Sequence, residues 1–217
     1  MSVVITLLVA VYIPLAALMV VTSAPVSTAL MDDALKQTTQ DGADREYLLE
    51  VATAVREFSF GDDAAAMPTG EDYRSSLTSD AITHLLDVRV VFLTVEYVSI
   101  GVLLALILLL TLAVRRYRVK ILVLPLIVGG GVPLACALVL GVAIAIDFAA
   151  FFAWMHSLFF ADGTWVFPAD SLLIRALPTG FWLSSATVWA VCMVLLCGIS
   201  IAAGVFFRWR QARLEKS

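Results

Sequence analysis

The sequence predicts an all-α membrane protein of four transmembrane helices with a small extracellular cap, on three observations. Hydrophobic residues make up 61% of the 217 and the mean hydropathy is +0.97, against an apolar share of roughly one half in soluble domains. Four apolar runs lie at about residues 3–21, 90–114, 121–146 and 181–207, each long enough for a ~30 Å hydrocarbon core, which takes roughly 20 residues of helix. Two stretches between them are too polar or too rich in turn signals to lie in lipid. A lipid-facing single segment satisfies its backbone only as a helix, so each run is read as one.

In chain order, residues 1–22 form the first transmembrane helix. No Lys or Arg precedes its apolar run, which is too long for the h-region of a cleaved signal peptide, so a retained helix is expected. Residues 23–89 form the cap. Between Asp32 and Arg89 stand 13 acidic and five basic residues, a local net charge of −8, which argues against nucleic-acid binding. Tyr47, Leu48, Val51, Val55 and Phe58 recur at helical spacing, predicting an amphipathic helix from Asp44 to about Phe58. Phe60-Gly61-Asp62-Asp63 and Met67-Pro68-Thr69-Gly70 read as turns. Thr78-Ser79-Asp80 reads as an N-cap with an acid in the first turn; a helix begun there runs through His84 into the second span.

The second span is 90–114, the loop 115–120, the third span 121–146, an aromatic-rich outer segment 147–180, the fourth span 181–207 and the tail 208–217. The loop carries Arg115, Arg116, Arg118 and Lys120, the tail Arg208, Arg210, Arg213 and Lys216, together eight of 14 basic residues. The positive-inside rule places both in the cytoplasm, with both termini, and turns 23–89 and 147–180 outward. Gly129, Gly130, Gly131 and Pro133 suggest a kink and close helix packing on the third span; Gly198 and Ala202 form a small-xxx-small pair on the fourth. Glu96 is the one acid inside a span, an interfacial carboxylate facing Arg89 or a protonated one. Cys136, Cys192 and Cys197 lie in spans, which leaves the outer segments without a disulfide framework or a thiol nucleophile.

Chemistry points to the two histidines, His84 and His156, since imidazole is the side chain suited to moving protons near neutral pH. His84 stands just before the second run and His156 inside the outer aromatic segment, so the topology puts both at one membrane surface. Within residues 148–182 there are ten Phe and Trp. An aromatic belt explains some of them; so many Phe around one His suggests an apolar chamber that lipid chains enter. No residues here have a recognisable metal spacing, and neither metal nor cofactor is expected.

Phe152, His156, Phe159-Phe160, Trp165, Asp170, Leu173-Ile174, Pro178 and Phe181-Trp182 resemble the signature of the bacterial lipoprotein intramolecular transacylases. His84-Leu85-Leu86-Asp87-Val88-Arg89 is similar to that family's second motif, a His followed three residues on by Asp-Val and a basic residue. The resemblance covers nearly the whole chain, except that the linker around Asp62 to Tyr73 matches nothing in it. It implies a cofactor-free enzyme of the bacterial cytoplasmic membrane acting on diacylglyceryl-modified lipoproteins and touching membrane lipid. The sn-2 acyl chain moves from glycerol oxygen to the α-amino group of the N-terminal cysteine, giving the lyso-form. It implies His84 and His156 as catalytic residues, with Phe152, Phe159, Phe160, Trp165, Asp170 and Trp182 in support.

The amine's attack closes a ring of about eight atoms, and good positioning recovers up to ~7–11 kcal/mol of such a cost. One His as base and one as acid each contribute ~10²–10⁴-fold. Asp87, at i+3, is placed to orient His84 or raise its pKa, which favours His84 as base. Arg89, Arg175 or a backbone N–H is a candidate for the oxyanion, Arg175 having interfacial snorkelling as its plainer role; Asp170 or Asp147 is a candidate organiser of His156. Two rivals remain. A non-enzymatic four-helix membrane scaffold or sensor with an acidic cap has the histidines far apart, or each merely hydrogen-bonded. A small transporter requires polar residues along the spans, which are scarce apart from Glu96.

Overall fold

A computed structural model describes residues 1–61, 65–117 and 119–214. Asp62 and Asp63 of the first expected turn, and Arg118 and Lys216 of the basic clusters, lie outside them. The described residues form eight α-helices and no strand: α1 (Ser2–Thr22), α2 (Ala24–Thr38), α3 (Gly42–Ser59), α4 (Ser79–Tyr117), α5 (Val123–Ile146) after a 3-10 turn at Val119–Leu122, α6 (Phe148–Phe159), α7 (Leu172–Ala176) and α8 (Thr179–Leu214). Among them α1, α4, α5 and α8 are long and apolar enough to cross a membrane. The chain divides into two units, each with its own core.

The first unit comprises Met1–Val21, Glu96–Ile146 and Val188–Ser217. Its helices are apolar on every side, the mark of a helix with no watery face: Ile146, Val139 and Ile199 are 80%, 70% and 66% exposed. Inside, Ile5, Val9, Ile13 and Ala17 of α1 pack with Leu106 and Ala113 of α4, Ala137 of α5, and Met193 and Cys197 of α8. Lipid tails are as apolar as leucine, so such helices hold together by close approach and by satisfying stray polar groups. A Cβ on Gly129 would stand 2.8 Å from Val9 Cγ1, and one on Gly130 would stand 3.0 Å from the Cys197 carbonyl oxygen. Ser200 Oγ donates to the Leu126 carbonyl at 2.8 Å, and Trp189 Nε1 to that of Pro14 at 3.2 Å.

Two expectations change here. Gly131 and Gly198 have open space where a Cβ would stand, so neither is a packing glycine. On α8 that part falls to Gly204, whose Cβ would meet Ile127 Cγ1 at 2.7 Å and the Val123 carbonyl oxygen at 3.1 Å. All three cysteines belong to this unit.

The second unit comprises Thr22–Val95 and Asp147–Thr187. Its core joins Met31, Ala34 and Leu35 of α2 with Leu48, Val51, Ala52 and Val55 of α3, Ala81 and Leu85 of α4, and Leu172, Leu173 and Ala176 of α7. Burying each leucine contributes about 1.5–3 kcal/mol. The α3 stripe is the i, i+3, i+4, i+7 pattern of a helix buried on one side. Tyr47 falls outside it, 40% exposed with its hydroxyl donating to the Ser75 carbonyl at 3.3 Å. The Asp41 carboxylate caps α3, three residues before the expected start, accepting from Ala43 N–H at 2.9 Å. Thr78 caps α4, its hydroxyl accepting from Ala81 N–H at 3.4 Å, and the helix continues unbroken through His84. At ~1.5 Å per residue the 39 residues of α4 span about 58 Å, roughly twice a hydrocarbon core. Its first turns therefore have no need of lipid.

Candidate active site

Both histidines belong to the second unit and both are buried, each 8% exposed. His84 sits in the second turn of α4, and His156 in the last turn of α6. Asp147 sets where α6 begins, its carboxylate accepting from Ala150 N–H at 2.9 Å. The two imidazole centroids are 6.3 Å apart with planes inclined by 31°.

An aromatic wall encloses the pair. Phe160 presents its edge to His84 at 4.8 Å and lies 5.5 Å from His156. Phe152 stacks on His156 at 3.9 Å and meets Trp182 edge-on at 5.7 Å. Trp165 lies 4.9 Å from His156, and Phe167 lies 5.7 Å from His84. Nothing in the sequence separates Phe167 from the other aromatics of its segment; only its distance from His84 in space marks it.

The tautomer of His156 follows from its partner. Its Nδ1 is 2.9 Å from the Phe152 carbonyl oxygen, and a carbonyl only accepts, so Nδ1 carries the hydrogen. In the neutral ring Nε2 is then the basic nitrogen. Burial pulls the His156 pKa below 6.5, opposed in part by that bond to Phe152, so the ring is neutral at pH 7 and ready to accept a proton. His84 Nδ1 is buried and has no hydrogen-bond partner among the described residues. Asp87, exposed on the next turn, therefore does not hold the ring through that nitrogen. Burial first, and then the neighbouring His156, lower the His84 pKa from 6.5 to about 4, against the charge of Asp87, which raises it; His156 is the ring whose hydrogen bond defines its accepting nitrogen.

The family model described as Lipoprotein intramolecular transacylase Lit matches residues 2–182. The chain belongs to the lipoprotein intramolecular transacylase family. Membership makes it a transacylase of lipoproteins and, with four apolar helices, an integral membrane protein. Solved structures share the fold. The membrane integral lipoprotein intramolecular transacylase Lit from Bacillus cereus is 20% identical, with a TM-score of 0.79 over 98% of each chain. Two variants of that enzyme, with one histidine replaced by arginine or by alanine, give TM-scores of 0.71 and 0.68 at 19% and 22% identity. They cover 98% and 100% of this chain and 94% and 96% of theirs. No curated protein matches the chain.

The remaining site residues divide by what holds them. For a transacylase, an unattached arginine near the histidines would be a natural oxyanion partner, but both candidates are engaged. The Arg175 guanidinium grips both Asp44 carboxylate oxygens at 2.8 and 3.0 Å and donates to the Arg74 carbonyl at 3.4 Å, tying α7 to α3. Arg89 donates to the Gly61 carbonyl at 3.2 Å and lies over the Phe58 ring at 5.2 Å. Gly61 has φ of 100°, where an L side chain would be strained. Asp170 pairs with Arg74 at 2.9 Å on the surface, 53% exposed; that charge is spent on a loop contact and not on His156. Phe159 is 55% exposed and meets only Phe160, at 6.3 Å, among the rings named here. The Trp182 indole donates to the Leu177 carbonyl at 3.2 Å, fixing the start of α8. Among the described residues no group of three or more His, Cys, Asp or Glu stands close enough to hold a metal.

Proposed function

We propose that the chain moves the sn-2 acyl chain of a diacylglyceryl lipoprotein from glycerol oxygen to the α-amino group of the N-terminal cysteine, with His156 and His84 handling the proton. The observation that carries this is the 6.3 Å approach of two buried imidazoles, from helices far apart in sequence, within one aromatic wall. A scaffold or sensor has no use for that approach.

His156 Nε2 takes the proton that the attacking amine sheds; His84 passes one to the departing glycerol oxygen, and the rings exchange the difference. One proton crosses from nitrogen to oxygen, so nothing else is consumed and no cofactor is called for. The aromatic residues exclude water, which would otherwise compete for the acyl group. A cavity of about 610 Å³ in the same unit is lined by Ser79, Thr83 and Phe167 among others. Neither histidine lines it, but Phe167 links it to the His84 ring, and its hydroxyls suit the polar part of a lipoprotein.

The protein is assigned to the bacterial cytoplasmic membrane, with its termini inside and the histidines on the outer side. Arg115 and Arg116 close α4 and Arg213 closes α8, all in the first unit with Met1, in keeping with the positive-inside rule.

The test is mass spectrometry of a reporter lipoprotein's N-terminal lipopeptide, from cells that otherwise make only the diacylglyceryl form. Wild type yields the N-acyl lyso-form, while His84→Ala and His156→Ala, at equal expression, lose it by at least ~10²-fold each. An unchanged diacylglyceryl peptide with well-expressed wild type refutes the activity; full activity in both variants refutes the histidine assignment.

A further inference from the structure

The histidine pair accounts for the proton but not for the negative charge that grows on the acyl carbonyl oxygen. Arg89 and Arg175 are held by Gly61 and Asp44. One donor beside the pair is not held: the indole Nε1 of Trp165 is buried and has no hydrogen-bond partner among the described residues. Indole nitrogen is a donor only, and a buried donor without an acceptor is costly to keep. Such a group fits a partner that arrives with the substrate.

We propose that the Trp165 N–H is the oxyanion donor of the site, bonding the carbonyl oxygen of the ester that is broken. This rests on the transacylase reading above. Four observations favour it. The Trp165 ring lies 4.9 Å from that of His156, with planes inclined by 38°, so the indole that carries the donor is packed beside the base's ring. A neutral donor adds no buried charge to an aromatic wall, where an unpaired cation would be expensive. Indole does not release its proton in this range of basicity, so it steadies the oxygen without entering the proton's path. The other tryptophans of the unit do not compete: Trp182 already donates to Leu177, and Trp154 is 52% exposed.

In the step itself, the amine nitrogen attacks the ester carbonyl carbon. The C–N bond forms as the carbonyl π pair moves onto oxygen, where the Trp165 N–H holds it, and the ammonium proton goes to His156 Nε2. The oxyanion pair then re-forms the carbonyl, the bond to the glycerol oxygen breaks, and that oxygen takes a proton from the histidine pair. Ester and amine become amide and alcohol with no other reactant. A donor already aimed at the developing charge is the device that stabilises such an intermediate most.

Two measurements test this. In the first, Trp165→Phe keeps the ring and removes the donor, and single-turnover conversion of a diacylglyceryl lipopeptide is followed in detergent. The expected result is a loss of ~10²–10³-fold in rate with lipopeptide affinity within about threefold of wild type. In the second, the wild-type protein carries ¹⁵N at its tryptophan indoles, and the Trp165 resonance is assigned by elimination with Trp154→Phe, Trp182→Phe, Trp189→Phe and Trp209→Phe. An N-acetylated diester lipopeptide, unable to react but holding its carbonyls, moves the Trp165 indole proton downfield. A diether analogue without those carbonyls leaves it in place. Equal shifts with both ligands, or with neither, or a Trp165→Phe rate within threefold of wild type, overturns the assignment. If Trp165→Phe does not fold, the resonance of the wild-type protein decides alone. Failure here is separable from failure of the activity, because wild type still makes the lyso-form in the first case and not in the second.

Discussion

The two units of this chain solve the same problem, holding helices together, by opposite means. In the first, backbones approach until only a hydrogen fits, at Gly129, Gly130 and Gly204, and the polar contacts described there are single bonds to carbonyls such as Ser200 to Leu126. In the second, leucines from α2, α3 and α7 form a watery protein's core, and ion pairs such as Arg175–Asp44 and Arg74–Asp170 join elements distant in sequence. The difference teaches where reactive groups are tolerated. A lipid-packed unit gains nothing from titratable side chains, and both histidines are in the other unit. Burial there holds the His156 pKa below its ordinary value.

Three experiments sharpen or break that contrast. Acid has the largest effect. His156 is held below its ordinary 6.5 by burial, so the transacylation rate, corrected for the protonated share of the substrate's α-amino group (ordinary pKa ~7.7–8.0), stays flat as pH drops to about 6.5 and falls further down, approaching tenfold per pH unit once the folded ring protonates. Stability follows the same sign. The folded ring binds fewer protons than the unfolded one, so stability present above 6.5 is drained as pH falls through it. A rate profile and thermal melts at matched pH check both, and a rate that rises between pH 6.5 and 5 contradicts the neutral-base assignment. Next come the glycines. Gly130→Leu and Gly204→Leu overpack the first unit by about 1–3 kcal/mol, whereas Gly131→Ala and Gly198→Ala, facing open space, leave the melting temperature in detergent within 1–2 °C, about half a kcal/mol or less. Equal losses at all four positions would mean that close approach is not what holds this unit. The smallest effect belongs to Arg175→Met. Its pair with Asp44 is 36% and 40% exposed, so the change costs about 0–1 kcal/mol and leaves the single-turnover rate within threefold. A loss of ~10²-fold would return Arg175 to the oxyanion.

Much of this was legible in the sequence, for reasons that can be named. A hydrocarbon core accepts only long apolar helices, so the four spans announce themselves by length, and Thr78-Ser79-Asp80 marks the start of the helix carrying His84. The motif around His156 marks its aromatic wall, of which Phe152, Phe160, Trp165 and Trp182 are part. What stayed hidden depends on three dimensions. Phe159 and Phe160 are adjacent and identical, yet only Phe160 meets the histidines, because the end of α6 turns its neighbour outward. Asp44 claims Arg175 across 131 positions. Gly198 and Gly204 look alike in sequence, and only the approach of α5 tells them apart. The partner of His156 Nδ1 leaves no trace at all, since it is a main-chain oxygen that any residue would supply.

That last contact shapes how the site handles repeated turnovers. A carboxylate behind a catalytic imidazole offers the ring's proton a second place to rest; the Phe152 carbonyl offers none. In the proposed mechanism, the proton His156 gains at Nε2 has to leave by the edge it entered, toward the bound lipid or toward His84. The ring is thus a one-door antechamber for the proton, and each catalytic cycle returns it to the same tautomer, with no flip needed before the next substrate arrives.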